Sequence, residues 1–129
     1  MQRLMVNGAN GYVGSHFVSE LLNNGYQVVA FVRATSKATS EQRLKNVLAE
    51  IDSQTDFSNL KVFDYDLLEK NYSINPSQLA EIFSGDIDFF HFAASLKFKE
   101  RDKKQIFKTN VDGTENSLKV FKEFSSEKS

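Results

Sequence analysis

Gly8, Gly11 and Gly14 stand at every third position in the run Val6-Asn7-Gly8-Ala9-Asn10-Gly11-Tyr12-Val13-Gly14-Ser15-His16, and their spacing carries the first chemistry in the chain. A residue without a Cβ lets the backbone turn sharply, as at Gly8, and lets N–H groups approach an anion, as at Gly11. Gly14 lets a helix lie close on its sheet. Leu4-Met5-Val6 comes before as an apolar run, and Tyr12, Val13, Phe17, Val18, Leu21 and Leu22 come after at helical spacing. The segment therefore reads as a strand handing over to a helix. The first turn of such a helix presents unpaired N–H groups and a partial positive charge. That arrangement grips the pyrophosphate of a dinucleotide, with Gly8, Asn10, Gly11, Tyr12, Val13 and Gly14 as the expected contacts.

A second position decides which dinucleotide. A site selective for NAD places a carboxylate at the end of the second strand, where it accepts from the ribose hydroxyls. Val32 stands there and Arg33 comes next. A guanidinium pairs well with a 2′-phosphate, which a carboxylate would repel. NADP(H) is thus expected over NAD(H). Lys37 offers a second positive charge, or is simply solvated. The two histidines, His16 and His91, have no partner at ligand spacing, so no metal site is expected. His91 falls in a buried strand and reads as a satisfied core histidine.

The elements that must position these residues alternate. After the first helix, Asn23-Asn24-Gly25 makes a stop with Gly25 as a left-handed cap, and Gln27 to Val32 is the second strand. This completes a βαβ unit. Arg33 to Ser40 is a polar loop. Thr39 and Gln42 have capping-box spacing, ahead of the stripe Leu44, Val47, Leu48 and Ile51. Asp52 to Asn59 is a polar connection, Leu60 to Tyr65 the third strand, and Asp66 to Ser73 a loop. Asn75-Pro76 opens a helix that buries Leu79, Ile82 and Phe83 and ends at Ser84-Gly85-Asp86. Ile87 to Ala93 is the fourth strand. A charged loop, Lys97 to Lys104, leads to a last helix, Gln105 to Phe124, with Phe107, Val111, Leu118 and Phe121 on one side. The expectation is an α/β chain, a Rossmann-like doubly wound parallel sheet with strand order 3-2-1-4. Its ligand site lies between strands one and four, at Gly8 to Gly14 and Ala93 to Ser95.

Composition narrows the class. The chain has 129 residues, 40% of them hydrophobic and 26% charged, with a formal net charge of −1. That balance gives no electrostatic case for nucleic acid or an anionic membrane. No apolar run reaches the length of a membrane span. The absence of cysteine excludes disulfides, thiolate metal sites and cysteine nucleophiles. With Met1-Gln2-Arg3 leading directly into the first strand, a cytoplasmic protein is expected.

Four motifs in order resemble the extended short-chain dehydrogenase/reductases: Asn7 to His16, Tyr65-Asp66-Leu67, His91-Phe92-Ala93-Ala94-Ser95, and Asn110-Val111-Asp112-Gly113-Thr114. Within that group the chain is most similar to the male-sterility-type reductases of fatty acyl-CoA and carrier-protein thioesters. That likeness rests on Val32-Arg33 with Glu41-Gln42-Arg43-Leu44 after it, on Ala93 to Phe98, and on the long stretch Leu68 to Ser77. The resemblance implies that Asp66 accepts from the adenine amino group and that Leu67 packs on the ring, though Asp66 can equally cap a turn. Ala93, Ala94 and Ser95 would let backbone approach the ribose and nicotinamide; the alternative is a tight turn under the last helix. Asn110 resembles an asparagine that holds the active-site helix geometry and a relay water.

Two departures stand out. The family usually has Thr where this chain has Asn7, and Asn can still make a side-chain hydrogen bond there. The family's Tyr-x-x-x-Lys pair is absent, since the residue at that spacing is Glu69 after Tyr65 and Pro76 after Tyr72. The 129 residues are therefore expected to be the N-terminal, NADP(H)-binding part of a longer reductase, without turnover alone. Alternatives are part of a sugar-nucleotide epimerase or hydroxysteroid-type dehydrogenase, or a non-catalytic NADP-binding sensor or interaction module. An unpaired fourth-strand edge would favour a homodimer or self-association.

Overall fold

Apolar residues on both faces of the strands decide the architecture. In the computed structural model, which describes residues 3–93 and 103–125 (of 103–109 the backbone alone), four parallel strands form one sheet. They are β1 (Arg3–Asn7), β2 (Gln27–Phe31), β3 (Leu60–Phe63) and β4 (Ile87–His91), in the order β3-β2-β1-β4. The side-chain alternation of a strand sends Leu4, Val6, Val28 and Ala30 to one face and Met5, Val29 and Phe31 to the other. The first face is covered by α1 (Tyr12–Asn23) and α2 (Ser40–Ile51), through Val18, Leu21, Leu22, Leu44 and Leu48. The second is covered by α3 (Pro76–Ile82) and α4 (Lys103–Phe124), with Leu79, Ile82, Phe83 and Val120 around Phe31. A sheet buried on both faces is the parallel α/β arrangement. Register places Asn7 between Phe31 and His91, so the ends of β2, β1 and β4 lie side by side.

The expected caps form. Thr39 and Gln42 make a reciprocal capping box on α2, and Asn75 accepts from the Ser77 N–H with Pro76 at the first helical position. Several boundaries and one loop differ from expectation. β3 stops at Phe63, because Phe63 supplies the last rung, to the Val32 N–H, and the Asp64 side chain instead takes the Ala34 N–H. β4 stops at His91: the Phe92 N–H supplies the last rung to the Asn7 carbonyl while shared with the Asn7 side chain, and that side chain alone takes the Ala93 N–H. α4 begins at Lys103, earlier than the charged loop was expected to end. The loop expected after β3 contains a turn, Lys70–Ser73, in which Asn71, Tyr72 and Ser73 all take positive φ.

The buried side of α4 also differs from the expected apolar one. Phe121 packs on Phe83 and Phe89 as expected, but Val111 and Leu118 are 39% and 52% exposed, while Gly113, Ser117 and Val120 face inward. The space under the helix is already filled: a Cβ on Gly113 would lie 2.7 Å from Leu67 Cδ2. Small residues are what fits there. The side chain of Phe107 lies outside the described residues.

Candidate functional site

The β1–α1 turn is built by sterics. Gly8 has φ of +61°, and a Cβ on it would lie 2.6 Å from the Ala93 nitrogen. A Cβ on Gly14 would lie 2.4 Å from the Gly8 carbonyl oxygen, well inside contact distance. So the first turn of α1 closes on the Gly8 carbonyl, and the end of β4 closes on Gly8 itself. Only glycine fits at either place. Gly11 is the N-cap of α1 and no side chain caps the helix there. The N-terminus of α1 thus faces a cleft of about 300 Å³ lined by Gly8, Asn10, Gly11, Tyr12, Val13, Gly14, Tyr65, Leu67, Phe92 and Ala93. Backbone N–H groups at a helix start, open to a cleft, are the donor set for a pyrophosphate.

Tyr65 is a lining residue to which the sequence pattern assigned no role. Its hydroxyl oxygen accepts the Gly8 N–H at 3.3 Å. Burial pushes its pKa far up, so it stays a neutral phenol. It stands two residues after Phe63 and continues that strand's side-chain alternation beyond the end of the ladder, which is the signal that could have found it. Leu67 both lines the cleft and lies against Gly113 of α4. Asp66 does two things at once. Its Oδ1 accepts the Leu68 N–H at 3.2 Å as a turn cap, and its Oδ2 lies 3.8 Å from an Arg33 Nη. Arg33, Asp64, Asp66 and Ser73 line an adjoining recess.

Lys37 is not brought to that recess. It lines a larger and more open cleft, about 600 Å³, with the rest of residues 34–42; Ala34 and Asp64 border both spaces. Ala93 reaches the glycine turn as expected, while Ala94 and Ser95 lie outside the described residues. Asn110 is half-buried on α4, and its carbonyl accepts the Thr114 hydroxyl at 2.7 Å. His16 is exposed, bonded to the Tyr12 carbonyl at 2.8 Å. Among the described residues, no cluster of three or more His, Asp or Glu is placed to hold a metal. None of their helices is long and apolar enough to cross a membrane.

Beneath the cleft lies a polar network centred on Asn7. Its Oδ1 accepts the N–H groups of Phe92 at 2.9 Å and Ala93 at 3.2 Å, which fixes the amide's orientation. Its Nδ2 then faces His91 Nδ1 at 2.8 Å, Ser117 Oγ at 3.1 Å and Tyr72 Oη at 3.2 Å. Tyr72 and Ser117 are bonded to each other. His91 Nδ1 must accept, so its proton sits on Nε2 and is donated to Thr114 Oγ1 at 3.1 Å. Burial lowers the His91 pKa and raises that of Tyr72. His91 is thus a satisfied histidine, as expected, and the hydrogen bond foreseen at Asn7 joins β1, β4, α4 and the turn at Tyr72.

A parallel sheet of order 3-2-1-4, with a glycine turn at the reversal of strand order, defines a Rossmann-like dinucleotide-binding domain. The family model described as Male sterility protein matches residues 6–129, and the chain belongs to that family of NAD(P)-binding reductase/epimerase-type domains. Aldehyde reductase lnaA of Aspergillus flavus is 33% identical over 92% of this chain and 12% of its own length. Gre2 of Candida albicans, solved in complex with NADPH, superposes with a TM-score of 0.71 at 25% identity, over 98% of this chain and 34% of that one. The terminal R domain from the myxalamid PKS-NRPS biosynthetic pathway superposes at 0.78 with 16% identity, over 97% of this chain and 33% of that one, a likeness of fold. The chain spans 12% to 27% of the length of the first curated relatives it matches.

Proposed function

We propose that residues 1–129 form the NADP(H)-binding part of an extended short-chain reductase acting on an acyl thioester or related carbonyl. The observation that carries the cofactor preference is the position of Arg33. It comes directly after the buried Val32 at the end of β2, and its guanidinium lies beside Asp66 at the rim of the recess. No carboxylate stands at the β2 end to receive ribose hydroxyls. Of the two acids nearby, Asp64 is committed to Ala34 and Ser40, and Asp66 caps the Leu68 N–H with Oδ1 while its Oδ2 lies loosely beside Arg33.

In this reading the N–H groups at the start of α1 hold the pyrophosphate, with Gly8, Asn10, Gly11, Tyr12, Val13 and Gly14 around it. Asp66 and Leu67 receive the adenine, Arg33 the 2′-phosphate with Lys37 as a more distant cation, and Ala93, Ala94 and Ser95 border the nicotinamide end. When bound, the dinucleotide supplies a hydride for the carbonyl. Asn110 would help keep α4 in place beside that carbonyl. No tyrosine in these residues precedes a lysine by four positions, so they hold the cofactor and supply no acid for the carbonyl oxygen. The β4 edge and the exposed Val111 and Leu118 are where we expect a further strand or a second copy to pair. We place the protein in the cytoplasm.

Calorimetric titration with NADPH and NADH tests the reading. NADPH should bind the tighter, and Arg33→Ala should weaken it by about tenfold while leaving NADH nearly unchanged. Tighter NADH binding, indifferent to Arg33→Ala, would end the proposal.

A further inference from the structure

The peptide group that joins Arg33 to Ala34 is held at both ends. Its C=O accepts a hydrogen bond from an Arg43 Nη on α2. Its N–H donates to Asp64 Oδ1 at 2.8 Å. The same Asp64 oxygen accepts the Ser40 hydroxyl at 3.2 Å, so one atom ties the first peptide after Arg33 to the first residue of α2. On the strand side, the Val32 N–H is bonded to the Phe63 carbonyl at 3.0 Å. Between these ties the loop closes on itself, with the Thr35 N–H on the Ala38 carbonyl at 3.0 Å.

A peptide plane bonded at one end can still swing. One bonded at both ends cannot flip without breaking both bonds. The consequence falls on Arg33. Its side chain is long and largely solvent-exposed, 71% by area, and its pairing with Asp66 at 3.8 Å is loose. The side chain alone does not define where the guanidinium sits; the backbone that carries it does. A guanidinium launched from a fixed Cα loses less freedom when it binds an anion than one launched from a mobile loop.

We infer that Asp64 and Arg43 are positioning residues for cofactor selection: by pinning the Arg33–Ala34 peptide plane they aim the Arg33 guanidinium at the recess that takes the 2′-phosphate. This role rests on Arg33 being the residue that receives that phosphate. Neither Asp64 nor Arg43 touches the cofactor in this scheme. Asp64 carries a negative charge near a phosphate subsite, which would be a liability for an NADP site unless that carboxylate had backbone work to do. Its two hydrogen bonds are that work.

The test is a set of titrations of the 129-residue chain with NADPH and with NADH, read as the ratio of the two dissociation constants. Asp64→Ala should lower the preference for NADPH by about threefold, less than Arg33→Ala does, with NADH binding within about twofold of the parent. Asp64→Asn keeps an acceptor oxygen and should restore most of the ratio. Arg43→Met keeps the aliphatic stem, removes the donor, and should shift the ratio in the same direction as Asp64→Ala. It also serves if Asp64→Ala does not fold. Equal weakening of both cofactors by Asp64→Ala and Arg43→Met would mean that the loop is merely held, and would overturn the inference. An unchanged ratio in both would do the same. Arg33→Ala separates the two levels. If it leaves the ratio intact, the assignment of Arg33 fails; if it collapses the ratio while Asp64→Ala and Arg43→Met do not, only the positioning role fails.

Discussion

The two sides of the cleft are made in different ways. The side formed by the β1–α1 turn is a backbone object. Gly8 and Gly14 are there because a Cβ at either would strike backbone atoms at 2.6 Å and 2.4 Å. The side formed by the ends of β1 and β4 under α4 is a side-chain object. It is held by Asn7, Tyr72, His91 and Ser117, which are far apart in sequence and meet only through the fold. At Gly8 and Gly14 the first side tolerates no added atom. The second tolerates a change of atom only if every donor and acceptor left behind finds a partner. The two sides should therefore fail differently when altered, the first in binding together with stability and the second mainly in stability.

The largest effect is expected at Gly14. In Gly14→Ala the new methyl must push the Gly8 carbonyl away, which opens the turn that presents the α1 N–H groups. NADPH binding should disappear from calorimetry, and denaturant melts should show a loss of about 3 kcal/mol. Gly25→Ala sharpens the point. Gly25 has φ of +80° with nothing near its Cβ position, so alanine there costs about 1–2 kcal/mol of backbone strain and leaves binding intact. A Gly14→Ala protein that bound NADPH like the parent would remove the backbone account of this side.

Asn7→Leu comes next. Leucine fills the same space and leaves the Phe92 and Ala93 N–H groups, the Ser117–Tyr72 pair and His91 Nδ1 without their shared partner. Denaturant melts should show a loss of about 2–3 kcal/mol. NADPH affinity should fall much less than in Gly14→Ala, because the glycine turn keeps its geometry. Abolished binding with unchanged stability would show that the network belongs to the ligand and not to the fold.

The same contrast explains what could be seen in the chain before its structure. Periodicity exposed the alternating elements, and glycine spacing exposed the turn, because both are local: each residue's requirement is visible from its neighbours. The capping box at Thr39 and Gln42 and the Asn75-Pro76 start were legible for the same reason. The inward face of α4 was not. Of the apolar residues expected to point inward Phe121 does, but over the turn at residues 113–117 it is Gly113 and Ser117, because Leu67 and Tyr72 arrive from another part of the chain and occupy the space. The role of Tyr72 was equally hidden. It depends on three successive positive φ values, which Asn71 tolerates by type but which Tyr72 and Ser73 do not announce. Asn7 was visible as a polar residue ending an apolar strand, but its five partners were not.

The smallest effect should come from His91, and its sign is set by the network. Burial holds its folded pKa below the ordinary value of 6.5, and Asn7 adds to this by presenting an N–H where a protonated ring would need an acceptor. The unfolded chain therefore binds a proton that the folded chain refuses. Stability should be full above pH 6.5 and decline as pH falls through that value toward the lower folded pKa, then level off with respect to this group. Thermal melts across this range should show the decline, and His91→Asn, which offers an acceptor and a donor but does not titrate, should flatten it. A parent curve that instead rose on acidification would mean that the fold favours the doubly protonated ring, with an N–H on Nδ1 as well as on Nε2. The amide of Asn7 would then have to be turned around, and the N–H groups of Phe92 and Ala93 would lose the oxygen that ends β4.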